Sequence, residues 1–156
     1  MKLMLTALLL LVTFPAVVGT AAAAVATAPH PAPATRLFLW VPPGGFPDRF
    51  PYGQCTWWAA YNRHVTWNGN ADEWLANAKG LGVPTNSGPS VGAIAVYGPV
   101  GGYSHLYGHV AVVIAVGAGT YTVSEMNVIG WGRVSTRSIR WPDPYIEGFI
   151  PLQGDQ

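Results

Sequence analysis

Cysteine occurs once in this chain, at position 55. A lone cysteine cannot close an internal disulfide. In an exported protein it pairs with another molecule or stays a free thiol that oxidises. Tyr52-Gly53-Gln54-Cys55-Thr56-Trp57-Trp58 reads as a turn running into a helix, with the cysteine in the first helical turn. Unpaired N–H groups and the positive end of the helix dipole favour a thiolate there, and a neighbouring imidazolium favours it further. Such a thiolate suits acyl transfer near neutral pH. The Cys55 backbone N–H is the natural oxyanion donor, joined by the Gln54 or Tyr52 side chain. Gly53 is expected to leave room for a substrate. The plain alternative is a buried, inert cysteine.

An imidazole must come from elsewhere, and one hairpin offers it. His109 opens a β-branched run to Val116, Gly117-Ala118-Gly119 is a turn, and Thr120 to Met126 alternates. With a three-residue loop Val116 pairs Thr120, so paired numbers sum to 236. His109 then lies opposite Asn127 and Ala111 opposite Glu125, all on one face because strand side chains alternate. A two-residue loop would put Glu125 and Asn127 on the wrong face, and a bulge would alter the count. Glu125 and Asn127 are poor strand residues, but beside a cleft either can fix the tautomer of the imidazole. The bland reading of Asn127 is a turn into Gly130.

His30, His64 and His105 fit less well. His30 falls in a proline-rich stretch, and His64 follows the first helix. His105 precedes His109 by four residues, a spacing that holds zinc on a helix. Gly101, Gly102 and Gly108 argue against a helix, and a His105–His109–Glu125 site would leave Cys55 without a role. No metal and no cofactor is therefore expected. Trp57, Trp58, Trp67 and Trp131 could line an aromatic groove for sugars or peptides, although at least half should be core.

These groups need a frame. Gln54 to Arg63 lacks Gly and Pro and spaces Trp57, Trp58 and Tyr61 as a helix does. Asn70 and Glu73 form a capping-box pattern for a second helix over 71–79, ended by Gly80. Strands are expected over 92–97, 109–116, 120–126, 134–139 and 149–150. Helices followed by an antiparallel sheet give an α+β domain.

The flanks bound the setting. Lys2, an apolar run from Leu3 to Val18 and the alanine-rich Ala21 to Ala28 have the layout of a secretory signal peptide over 1–28. The run breaks at Pro15 and lacks a basic stop, which argues against a lasting membrane anchor. Residues 29–45 read as a proline-rich linker, 46–152 as the domain and 153–156 as a tail. Cleavage after Ala28 leaves 156 − 28 = 128 residues, enough for one domain. Removing Lys2 from eight basic and seven acidic residues leaves seven of each, unlike the basic surface of a nucleic-acid binder. A monomer is expected.

In this order along the chain, five blocks resemble the CHAP family, the cysteine- and histidine-dependent amidohydrolases/peptidases. They are Tyr52 to Trp58; Gly69-Asn70-Ala71 with Trp74; Val91-Gly92-Ala93-Ile94; Gly108-His109-Val110-Ala111; and Val123-Ser124-Glu125-Met126-Asn127, with Gly130-Trp131-Gly132 behind. The resemblance covers about residues 46 to 152. It implies a papain-like α+β fold with N-terminal helices packed on a twisted sheet. It further implies Cys55 as nucleophile, His109 as base and then acid, Glu125 as orienting carboxylate and Asn127 as its polar companion. The substrate implied is peptidoglycan, cut as an N-acetylmuramoyl-L-alanine amidase or as an endopeptidase. The loop from Pro99 to Tyr107 looks long for the family and is expected to shape or cover the groove. A non-catalytic wall-binding module and an acyltransferase are the alternatives.

Overall fold

Gly53, at φ +92°, turns the chain, and Gln54 stays extended as the N-cap of α1, Cys55–Asn62. Nothing in Cys-Thr-Trp-Trp-Ala-Ala-Tyr-Asn interrupts a helix. Ala59 and Ala60 are its buried residues, so small side chains let the helix lie close to the sheet. A 3₁₀ turn, Ala71–Glu73, then leads into α2, Trp74–Gly80. The Asn70 N–H donates to Glu73 Oε2 at 2.7 Å, as the capping-box pattern predicts. The expected helix over 71–79 thus begins as a 3₁₀ turn. Trp74 and Ala78, one helical turn apart, are fully buried.

The structure, a computed structural model, describes residues 40–100 and 103–153. The chain divides into two units, Met1–His30 and Pro31–Gln156, and every described residue belongs to the second. The expected signal peptide, residues 29–39 of the expected linker, and residues 154–156 of the tail lie outside the described residues. Among the described residues no helix is long and apolar enough to cross a membrane.

Five strands form one antiparallel sheet: β1, Ile94–Tyr97; β2, His109–Gly117; β3, Thr120–Met126; β4, Val134–Arg140; and β5, Ile146–Ile150. Their order is β4-β3-β2-β1-β5. Helices ahead of an antiparallel sheet make this an α+β fold, as expected. β1 is buried along its whole length because it lies between β2 and β5. Alternation gives the sheet two apolar faces. Ile94, Val96, Val110 and Val112 pack with the helical residues Ala59, Ala60 and Trp74. Ala95, Tyr97, Ala111, Tyr121 and Phe149 form the opposite, more aromatic face.

The β2–β3 hairpin corrects one expectation. Gly117 pairs Thr120, so the loop holds two residues, Ala118 and Gly119, not three. Next to the turn, pairs such as Val116↔Tyr121 sum to 237; beyond an irregularity between Val113 and Ala115, pairs such as Val112↔Ser124 sum to 236. A bulge at Ile114 therefore absorbs the residue that the shorter loop releases. It restores the register that sends Ser124 toward the helices and Glu125 to the aromatic face.

Gly108 sets up the start of β2. Its φ is +63°, and a Cβ there would meet the Tyr97 carbonyl oxygen at 2.4 Å. Only glycine fits both demands, and the next residue is His109. Gly108→Ala is expected to cost at least about 2 kcal/mol of stability, read from the urea midpoint.

Candidate active site

Cys55 sits in the first turn of α1, partly exposed and packed beside the helix-side core. Burial alone would raise the pKa of its thiol. The opposing influences are a hydrogen bond with the His109 imidazole, the charge of that ring, and the Val110 and Thr56 backbone N–H groups. Together they prevail, and the thiol lies below its ordinary value.

His109 is 5 % exposed and Glu125 1 %. Nε2 of the imidazole meets Glu125 Oε2 at 3.1 Å, which leaves Nδ1 for the thiol. Burial disfavours the imidazolium, but hydrogen bonds to Cys55 and Glu125 and their charges outweigh it, and His109 is pushed up to about 8. Burial likewise disfavours the Glu125 carboxylate. Its bonds to His109 and Arg137 nevertheless hold it below the usual carboxylate range. The thiol is pulled down and the imidazole up, so both shifts favour a thiolate–imidazolium pair.

Two neighbours of this pair escaped sequence reasoning. Arg137 of β4 donates through Nε to Glu125 Oε1 at 3.0 Å and through Nη2 to Oε2 at 3.1 Å. Tyr103 lays its ring on the imidazole, with centroids 4.8 Å apart and planes 2° from parallel. A signal for Arg137 did exist. Alternation in β4 puts it on the face of Ile139, and its partner Val123 lies two residues from Glu125. Tyr103 lies in a glycine-rich loop with no period to read.

Asn127 shares the cleft with His109, and its recorded side-chain hydrogen bond goes to Gln54. β3 ends at Met126, and Asn127 turns into the left-handed region at φ +70°, which asparagine tolerates better than most residues. Its Nδ2 donates to Gln54 Oε1 at 3.0 Å. The paired part of β2 and β3 stops at Val112↔Ser124, short of Asn127, whose side chain clasps the residue before Cys55. That clasp occupies the Gln54 oxygen and leaves the Gln54 amide N–H groups available.

Gly53 does not offer the open approach expected of it. The Trp131 indole covers it, and a Cβ on Gly53 would meet that ring at 2.4 Å. Tyr52 packs edge-on against Trp57 and Trp131, at 4.8 and 5.7 Å between centroids. These three rings form a cluster over the turn before α1. Of the four expected groove tryptophans, Trp67 is core, Trp57 and Trp58 are half-buried in a stack with Tyr61, and Trp131 is 65 % exposed.

A cleft of about 540 Å³ opens over the site. Phe50, Gln54, Cys55, Tyr103, His109 and Arg137 are among its walls. The long loop contributes Tyr103, Ser104 and Tyr107 to it, as expected of a groove-shaping segment. His64 and His105 are exposed. His109 Nε2 is engaged by Glu125, and among the described residues no three His, Cys, Asp or Glu side chains are placed to hold a metal.

A thiol at a helix start, an imidazole and a buried carboxylate bonded to that imidazole thus meet at one cleft on an α+β fold. Residues 45–127, more than half of the chain, match the CHAP domain family. The chain belongs to that family. It is 40% identical over 106 residues to a probable autolysin LDP of Staphylococcus aureus (strain NCTC 8325 / PS 47), covering 62% of this chain and 35% of that protein. A putative hydrolase of Streptococcus mutans serotype c is 33% identical over 112 residues, covering 67% of this chain and 44% of that one. The crystal structure of an N-acetylmuramoyl-L-alanine amidase from Staphylococcus aureus superposes with a TM-score of 0.54 at 32% identity, covering 63% of this chain and 31% of that one. The chain thus spans less than half the length of each of these relatives.

Proposed function

We propose that this protein is a secreted peptidoglycan hydrolase of papain-like type that cleaves amide bonds through a Cys55 thioacyl intermediate. The observation that carries the proposal is the alignment of the single thiol, His109 and buried Glu125 at the wall of one open cleft. The names of the relatives support the substrate class, and the signal-peptide pattern of residues 1–28 supports a site of action outside the membrane.

In this reading the Cys55 thiolate attacks the carbonyl carbon of a substrate amide, forming the C–S bond as the carbonyl π pair moves to oxygen. The Cys55 backbone N–H and the Gln54 amide N–H face that oxyanion, with Gln54 aimed by Asn127. Collapse re-forms the carbonyl and expels the nitrogen, which takes its proton from His109. Neutral His109 then removes a proton from water as the water attacks the thioester, and the thiolate leaves. Glu125 orients the ring and stabilises its charged form throughout. The Tyr52–Trp57–Trp131 cluster beside the turn before α1 offers an apolar seat for part of the substrate. The enzyme works as a monomer.

The bond cut is either the N-acetylmuramoyl-L-alanine amide or one within the stem peptide or its cross-bridge. Mass spectrometry of digested wall material decides between them. The expected products carry one new amino and one new carboxyl end at one kind of amide bond. Products carrying only new sugar reducing ends would refute the proposal.

A further inference from the structure

We propose that Tyr103 and Arg137 form a positioning clamp that fixes the plane of the His109 ring and anchors the Glu125 carboxylate against it. The inference rests on the reading of Cys55 as nucleophile, and neither clamp residue hydrogen-bonds the sulfur.

The geometry is closed on itself. Arg137 reaches both Glu125 oxygens, and Nη2 also donates to the Tyr103 hydroxyl. The guanidinium carbon lies 5.1 Å from the centre of the Tyr103 ring, so cation and ring attract as well. The other edge of the arrangement is Tyr97, whose ring is 4.8 Å from that of Tyr103 and 6.0 Å from His109. The imidazole is thus held by a bond to Glu125 in its plane and by an aromatic ring flat against one face. One arginine holds both supports. A segment without regular structure supplies one of them, and an edge strand supplies the arginine.

Charge gives the clamp a second consequence. The groups facing His109 are Cys55 from α1, Glu125 from β3, Arg137 from β4, Tyr97 from β1 and Tyr103 from the loop. With the thiolate, imidazolium, carboxylate and guanidinium all charged, the site sums to zero. Without the guanidinium it carries a net negative charge in a largely buried space. Removing a positive charge makes nearby protons harder to lose, so the thiolate forms only at higher pH.

The test uses the full chain, whose single thiol makes alkylation by iodoacetamide specific. Arg137→Met is expected to raise the pH midpoint of alkylation by about one unit. Arg137→Lys keeps the charge but not the two-pronged bond; it should hold the midpoint near wild type while kcat falls several-fold. Tyr103→Ala should lower kcat about tenfold, and Tyr103→Phe, which keeps the ring, should restore most of it. Urea unfolding checks that each variant is folded; should Arg137→Met not fold, Arg137→Gln reads the same midpoint. A folded variant lacking the charge but keeping the wild-type alkylation profile would overturn the clamp. A wild-type midpoint at or above that of a free thiol would instead sink the nucleophile reading, so the two failures are distinguishable.

Discussion

Cys55→Ala is expected to lower the rate of amide-bond cleavage in wall material by about 10⁴-fold or more, because it removes the atom that forms the proposed intermediate and leaves only substrate binding and the oxyanion donors. Cys55 is only partly exposed, so the truncation leaves a small void beside the helix-side core and little loss of stability. The variant should therefore still bind the wall, and soluble product release is the quantity to compare. Cleavage by Cys55→Ala at the wild-type rate would mean that another group performs the attack.

His109→Ala is expected to lower kcat by about 10³-fold, since in the proposed mechanism one imidazole serves first as proton partner of the thiol and then as acid to the departing nitrogen. The pH profile of the wild type follows from the same two groups. The thiol lies below its ordinary value, with burial opposed by hydrogen bonds and by the imidazolium charge, so activity appears on the acid side as the thiolate forms. His109 is pushed up to about 8 by Cys55 and Glu125 against the effect of burial, so activity declines as the pH rises through that value and the leaving nitrogen loses its proton donor. In His109→Ala the residual activity should lose the alkaline limb and rise with pH, because only the unassisted thiol remains to titrate. A residual profile with the wild-type bell shape would assign the alkaline limb to some other residue.

The helix bearing Cys55 and the face bearing Glu125 were both legible in the residue pattern, for different reasons. α1 is announced by an uninterrupted run after Gly53, and the observed Cys55–Asn62 lies within the predicted span. The face of Glu125 was reached through a three-residue loop that the structure replaces with a two-residue loop and a bulge. The two departures cancel, because a bulge adds back the residue that the turn gives up. Nothing in the β-branched run 109–116 marks Ile114 as the place for it. The bond of Asn127 to Gln54 was not legible for a related reason. Strand alternation carried past Met126 would put Asn127 opposite His109, whereas the backbone there has already left the strand. Tyr103 and Arg137 show a deeper difficulty. Each matters through its contact with the other and with the pair Glu125–His109, and such a four-way contact has no signature in one dimension.

The central claim concerns the ionisation of one sulfur, and the most direct measurement is the rate of Cys55 alkylation as a function of pH in the wild type and in His109→Ala. The midpoint in the wild type should lie below the value of about 8.5 for a free thiol, and it should rise to that value or above in His109→Ala, where burial acts unopposed by the imidazolium. A wild-type midpoint at or above the free-thiol value, or one that His109→Ala leaves unchanged, would contradict the account.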